Sequence, residues 1–259
     1  MMNTRKIDLS QIKAIGFDLF NTLITAQPEG VSEAVARLLN SLQSQGFALE
    51  EEKFKKAYRE SAVRIIKETR KHGRETHNRF WVSAALQLLG YDVGPEDPRI
   101  AASIDAYFSA FMEYCHVIPG TFEMLNRLNG SYRLALLSNF THPPAAEQLI
   151  NGLGLTPFFD FILISGDLGY RKPHPFVFQR LAEGFGLPNH DILYVGDDPE
   201  PDINGSVRAG LQAVWFTYTR DHHIPTVPGV APSGPEQPEF QVPRVSTWEN
   251  FLFLLGVNN

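Results

Sequence analysis

Four carboxylates and one lysine are the groups in this chain best placed by type and spacing to do chemistry. Asp18 follows the apolar run Ala14-Ile15-Gly16-Phe17 and is itself followed by Asn21 and Thr22. Asp197, Asp198 and Asp202 crowd the stretch after a second apolar run, Ile192-Leu193-Tyr194-Val195. Like charges set this close repel unless a cation or a proton intervenes. Mg²⁺ suits such a set, because it takes hard oxygen ligands, often one or two carboxylates completed by substrate phosphate oxygens. The competing reading makes Asp202 a helix N-cap and leaves the other acids solvated. Lys172, in Gly169-Tyr170-Arg171-Lys172-Pro173-His174-Pro175, precedes a predicted helix. An ammonium there neutralises both a carboxylate and an incoming phosphate. Arg171 is expected to be solvated and His174 to be a turn residue. Ser138-Asn139 ends a third apolar run and offers a hydroxyl and an amide to an anion, although both types also favour ordinary turns.

The elements that must position these groups read as two textures. From Ser32 to about Tyr114 apolar residues recur at helical spacing, as in Phe54, Tyr58, Ala62, Ile65 and Ile66, and again in Ile100, Ile104, Tyr107, Phe108 and Phe111. Gly46, Gly73, Gly90 and Pro95 punctuate the helices. From Pro119 onward helices alternate with apolar strands: Arg133 to Leu137, Phe161 to Ile164, Ile192 to Val195 and Gln212 to Phe216. With a first strand over Lys13 to Leu19, this predicts an α/β protein whose parallel sheet is covered by helices on both faces. A helical domain of residues 29–115 is inserted into a core of residues 1–28 and 116–259. Thr219 to Pro243 reads as an irregular, partly mobile excursion, and Thr247 to Leu255 as a closing amphipathic helix.

Composition bounds the function. The chain has 259 residues, 43% apolar and 20% charged, enough for one large domain or two smaller ones. A net charge of −6 argues against a nucleic-acid surface, which would be basic. The single cysteine, Cys115, excludes an intrachain disulfide and reads as a small buried hydrophobe. The polar start, Met1 to Lys6, carries no signal peptide, and no run of about 18 apolar residues offers a membrane span. A soluble, cytoplasmic monomer or homodimer acting on small molecules is expected.

Taken in order, Phe17-Asp18-Leu19-Phe20-Asn21-Thr22, Leu137-Ser138-Asn139, Lys172-Pro173 and Val195-Gly196-Asp197-Asp198 with Asp202 resemble the four motifs of the haloacid dehalogenase-like (HAD) hydrolases, across residues 12 to 255. The resemblance implies a Rossmann-like core with a helical C1 cap. It makes Asp18 the nucleophile, with Lys172 beside it as the second catalytic residue. Asn21, Thr22, Ser138 and Asn139 become substrate-binding. Mg²⁺ would be held by Asp18, Asp197 and the backbone carbonyl of Phe20, with Asp202 anchoring the metal shell. The cap would close over a small phosphorylated substrate.

One position departs from the pattern. Phosphatases of the family carry, two residues after the nucleophile, a second aspartate that protonates the leaving oxygen and later activates water. Here it is Phe20. Acid–base catalysis is worth about 10²–10⁴-fold, so simple alkyl phosphates should be poor substrates unless another group substitutes, His142 being one candidate. Three readings fit. The first is Mg²⁺-dependent phosphoryl or phosphonyl chemistry, on a substrate whose leaving group needs no proton or with a substitute acid. The second is metal-free 2-haloacid dehalogenation, which the aromatic residue at 20 favours and Asp197 opposes. The third is a weak or inactive scaffold that binds a phosphometabolite or a protein. Arg74, His77 and Arg79 read equally as a solvated linker or as contacts to an anionic substrate.

Overall fold

The protein is described by a computed structural model over residues 9–225 and 236–257. The start of the chain and residues 226–235 of the proline-rich stretch lie outside the described residues.

Six parallel strands form the central sheet. They are β1 (Ala14–Phe17), β4 (Arg133–Ser138), β5 (Phe161–Ile164), β6 (Ile192–Gly196), β7 (Gln212–Phe216) and β8 (Arg244–Val245), in the spatial order β5-β4-β1-β6-β7-β8. β1 and β6 are buried along their whole length, which accounts for their unbroken apolar sequences. Alternate side chains serve opposite faces: Ile15 and Phe17 join the larger apolar cluster, Ala14 packs with Leu137, Tyr194 and Phe178. Helix α8 (Pro175–Phe185) covers the second face. Helices α5 (Thr121–Leu128) and α11 (Trp248–Leu254) cover the first, where Trp248 stacks on Phe216 at 3.9 Å and donates through Nε1 to Thr121 Oγ1 at 2.8 Å. The predicted closing helix is therefore the plug of that face.

The strand order decides where a ligand can sit. The chain passes from β1 to β4 and β5 on one side and to β6, β7 and β8 on the other. The carboxyl ends of β4, β1 and β6 thus flank a topological switch point, the place where open α/β sheets leave a crevice. Asp18, Ser138 and Asp197 all stand at those ends.

Between β2 (Ile24–Ala26) and β3 (Cys115–Val117) the chain forms α1 (Gly30–Ser44), α2 (Glu51–His72), α3 (Arg79–Leu88) and α4 (Pro98–Tyr114). β2 and β3 pair antiparallel, Ile24 opposite Val117, so the chain leaves and re-enters the sheet region through one short ribbon. That ribbon has too few residues to show a period, and the sequence did not reveal it. Cys115, on the ribbon, is buried. Arg37 of α1 ties to Ser109 and Glu113 of α4.

Three boundaries shift from expectation. The proline-rich stretch contains a helical turn, Tyr218–Asp221, and leads into β8 on the sheet edge. The helix predicted from Ile203 begins earlier, as a π-helical turn over Pro199–Asn204, before an α-helical turn over Gly205–Arg208. β1 ends at Phe17, so Asp18 is the first residue beyond the strand. Among the described residues no helix is long and apolar enough to cross a membrane.

Candidate active site

Asp18 hangs from the end of the central strand and is only 7% exposed. Its Oδ1 accepts from Lys172 Nζ at 2.5 Å, and its Oδ2 accepts from Thr22 Oγ1 at 3.3 Å. Asn21 makes the turn between them with φ at 61°, a left-handed conformation that asparagine tolerates. Burial pushes the Asp18 carboxyl up to about 7; Lys172 opposes that shift and nearby Asp202 adds to it.

Lys172 is fixed from three directions. Nζ donates to Asp18 and, at 2.8 Å, to Tyr194 Oη, whose own proton goes to the Leu137 carbonyl at 2.9 Å. Its backbone is bracketed by one side chain: Lys172 N–H donates to Asn139 Oδ1 at 2.8 Å, and Asn139 Nδ2 donates to the Lys172 carbonyl at 3.1 Å. The sequence reading gave Asn139 to the substrate. The structure gives each end of its amide one partner on the lysine loop, so Asn139 positions Lys172 and keeps one further donor and one further acceptor site. Ser138, at the tip of β4, is buried in the same place.

The acids after β6 complete the site. Asp18, Asp197 and Asp202 each bring an oxygen within 4.8 Å of the others. The π-helical turn carries Asp202 back toward the strand end, a distortion often found at functional positions. Its Oδ2 accepts from the Asp198 N–H at 2.9 Å. Gly196 makes that approach possible, since a Cβ there would stand 2.5 Å from the Asp202 carboxyl carbon. Asp202 Oδ1 lies 2.7 Å from Lys172 Nζ, an ion pair, and accepts no other hydrogen bond. Asp198, not Asp202, caps the turn, accepting from Glu200 N–H.

These acids fit a divalent hard cation. Every donor is an oxygen, and among the described residues a single ammonium, that of Lys172, pairs with two of these three acids. Burial first, and then Asp202 and Asp18, push the Asp197 carboxyl well above its usual range. Burial and Asp202 push Asp198 up to about 6. A carboxyl raised in the folded state favours folding below its unfolded value of 3.8 and loses that contribution as pH rises through the folded value. In EDTA, therefore, Tm should fall from about pH 4 to about pH 7 by several degrees, given roughly 2–4 °C per kcal/mol for a chain of this size. Asp197→Asn should flatten the fall, and MgCl₂ should raise Tm more at high pH than at low. A Tm independent of Mg²⁺ at high pH would remove the cation site.

The helical layer meets the lysine loop along a backbone seam. Arg74 bridges to Tyr170 in antiparallel fashion, Glu75 N–H donates to the Gly169 carbonyl, and Arg171 N–H donates to the Gly73 carbonyl. Glu75, whose side chain is 2% exposed, accepts from Ser165 Oγ at 2.6 Å and from Arg171 Nη1 at 3.3 Å. Arg171 is thus half-buried and paired, not solvated as expected. Glu75 and Tyr194 escaped sequence reading because nothing in their local pattern distinguishes them; only the fold brings them to Arg171 and Lys172. His174 caps α8. Arg79 pairs with Glu96.

Phe20 is turned toward the helical layer. Its ring stacks on Phe140 at 5.7 Å and meets Phe111 of α4 edge-on at 6.1 Å. His142 lies on Phe108 at 5.1 Å, hydrogen-bonded through Nδ1 to His77 Nε2 at 2.7 Å. Burial lowers both imidazole pKa values, His77 to about 4, so both rings are neutral near neutrality. His142 is therefore a poor substitute acid.

Comparison with known proteins bears on the family and the fold. A family model, haloacid dehalogenase-like hydrolase, matches residues 12–210. A glyceraldehyde 3-phosphate phosphatase of Pyrococcus abyssi is 29% identical over 211 residues, covering 80% of this chain and 82% of that protein. A 2-haloacid dehalogenase structure from Pseudomonas syringae superposes with a TM-score of 0.69 at 22% identity, covering 95% of this chain and 98% of the other. Bacillus subtilis YfnB, solved bound to magnesium, superposes with a TM-score of 0.60 at 23% identity, covering 94% and 98%. Likeness at these identities establishes the fold. With the family match over most of its length, this chain belongs to the haloacid dehalogenase-like hydrolases.

Proposed function

We propose that the protein is a Mg²⁺-dependent phosphohydrolase that transfers a phosphoryl group from a small metabolite to Asp18. The observation that carries this reading is the trio Asp18, Asp197 and Asp202, all buried and gathered around one lysine. A metal-free dehalogenase has no use for Asp197, and an anionic haloacid would meet uncompensated carboxylates. The phosphatase activity named for the Pyrococcus relative and the magnesium in the Bacillus structure support the same choice.

Asp18, Asp197 and the Phe20 carbonyl would hold Mg²⁺, with Asp202 anchoring its shell. The ion supplies positive charge against the acids and the phosphate oxygens. Asp18 Oδ attacks phosphorus, and the bond from phosphorus to the leaving oxygen breaks. Lys172, held by Tyr194 and Asn139, keeps the ammonium against Asp18 and the incoming phosphate. Thr22 orients the carboxylate, while Asn21 and Ser138 line the strand ends where the group transfers. Water then attacks phosphorus of the aspartyl phosphate; the bond to Asp18 breaks, the carboxylate is restored, and the water proton leaves on the phosphate. With phenylalanine at 20, the leaving oxygen must depart without a donated proton, which selects acyl, enol or aryl phosphates over alkyl esters. We assign residues 29–115 to a substrate-covering cap and residues 1–28 and 116–259 to the core, in a cytoplasmic monomer or homodimer.

The test is phosphate release from acetyl phosphate and from glycerol phosphate, each in Mg²⁺ and in EDTA. Release in Mg²⁺ alone, with acetyl phosphate favoured by about 10²-fold or more, is expected. Absence of release from every phosphate, together with EDTA-insensitive halide release from 2-chloropropionate, would replace this reading with the dehalogenase one that Phe20 favours. No turnover of either kind would leave the binding scaffold.

A further inference from the structure

The segment Gly73-Arg74-Glu75, between α2 and α3, lies on the lysine loop as a one-rung antiparallel bridge. Glu75 N–H donates to the Gly169 carbonyl at 3.1 Å, and Arg171 N–H donates to the Gly73 carbonyl at 2.9 Å. Gly73 stands at φ 61°, and a Cβ there would lie 2.8 Å from the His174 Cβ, so glycine is what lets the two backbones approach this closely. The Arg74 guanidinium sits 5.2 Å from the centre of the Tyr170 ring, which stacks on His174 at 4.3 Å.

The Glu75 side chain adds something that this packing does not require. It is 2% exposed, and a buried ion pair gives little net stability over well-packed apolar groups. What the carboxylate adds is direction. Its Oε1 accepts from Arg171 Nη1 at 3.3 Å, and its Oε2 accepts from Ser165 Oγ at 2.6 Å. The Ser165 proton has a second acceptor, the Phe140 carbonyl, but at 3.3 Å, so it goes to the carboxylate. Ser165 Oγ accepts in turn from Phe140 N–H at 2.9 Å. The two partners of Glu75 lead to one place from opposite sides. Arg171 directly precedes Lys172 in the chain. Phe140 directly follows Asn139, whose amide brackets the Lys172 backbone. From that backbone Nζ reaches Asp18 and Tyr194. One carboxylate of the helical layer therefore anchors two supports of the lysine.

We propose that Glu75 is a positioning residue for Lys172, so that the cap completes the catalytic centre by docking on the lysine loop. The proposal takes the catalytic role of Lys172 from the phosphohydrolase reading, whereas the mechanical link between Glu75 and the loop stands without it. A displacement of about 1 Å can cost about 10²-fold in rate. Loss of the carboxylate thus reaches the chemistry through the lysine. Transfer to Asp18 then waits for closure, because an undocked cap withdraws the anchor of both supports.

Hydrogen exchange of the full-length protein in Mg²⁺, followed at the amides of Phe140, Arg171 and Lys172, tests the link without turnover. Glu75→Gln keeps the size of the side chain and removes its charge. Exchange at these amides should become at least about tenfold faster, in line with the loss of a hydrogen bond to a charged group. In the same variant kcat for acetyl phosphate should fall by about 10- to 10²-fold. Ser165→Ala cuts one support from the core side; it should speed exchange at Lys172 and lower kcat even if the Glu75 variant does not fold. Ser83→Ala breaks a bond inside the helical layer, from Oγ to the Val93 carbonyl at 2.8 Å, and should leave the three amides and kcat at parent values. Unchanged exchange in Glu75→Gln, faster exchange with an unchanged kcat, or equal loosening in Ser83→Ala would overturn the assignment. Faster exchange in a protein whose unaltered form releases no phosphate would uphold the link and reject the phosphohydrolase reading.

Discussion

Asp18→Asn should lower phosphate release by at least about 10³-fold, because the variant keeps shape and charge pairing nearby but has no nucleophile. Asparagine has the size of aspartate, and its amide oxygen can still accept from Lys172 or from Thr22, the two donors that hold the Asp18 carboxylate. Lys172 does not become an unpaired buried charge, since Asp202 Oδ1 remains 2.7 Å away. The protein should therefore stay folded. Burial and Asp202 already hold the Asp18 carboxyl up at about 7, so replacing it removes a group whose ionisation opposes folding. In EDTA at about pH 8 the variant should melt no lower than the parent. Single-turnover assays with acetyl phosphate read the chemical step, and thermal melts read the fold. A variant that retains a tenth of the parent rate would assign the nucleophile elsewhere.

Much of this site was legible because motif residues sit at strand ends. Asp18, Ser138 and Asp197 each follow an apolar run, and a parallel sheet with this strand order sets three such ends side by side. Spacing along the chain gave no comparable access to side-chain direction. Asn139 stands in the motif as an anion ligand, but its amide also brackets the backbone 33 residues away. Tyr194 reads as one more apolar residue in a strand until its hydroxyl is seen between Lys172 and the Leu137 carbonyl. Arg171 looked solvated because its partner, Glu75, comes from between α2 and α3, 96 residues earlier. Contacts made across the seam depend on how the inserted helices settle, and helical periodicity fixes which face of a helix is buried without saying against what. The need for a counter-charge was readable for a different reason: Asp197, Asp198 and Asp202 crowd one stretch of sequence, whereas Asp18 and Lys172 join them only through the fold.

Phe20→Asp should raise turnover of glycerol phosphate relative to acetyl phosphate by at least about tenfold, within the roughly 10²–10⁴-fold that acid–base catalysis supplies. An acyl phosphate expels a stabilised carboxylate and gains little from a proton donor, whereas an alkoxide cannot leave without one. The ratio therefore isolates the acid from general changes in the site. The substitution also has a structural cost. Phe20 is 6% exposed and packs on Phe140 and on Phe111 of α4, so the variant loses an aromatic contact to the helical layer, while Phe140 keeps its own contacts with Phe108 and Phe111. Removing a buried phenylalanine costs about 3–5 kcal/mol, and a carboxyl left among aromatic rings adds desolvation. Tm should drop, and the absolute rate on acetyl phosphate should drop with it. A lower Tm with an unchanged substrate ratio would mean that position 20 packs the cap without governing leaving-group choice. A risen ratio would mean that phenylalanine at this position restricts the enzyme to oxygens that leave unaided, and that the aromatic seam is the structural form of that restriction.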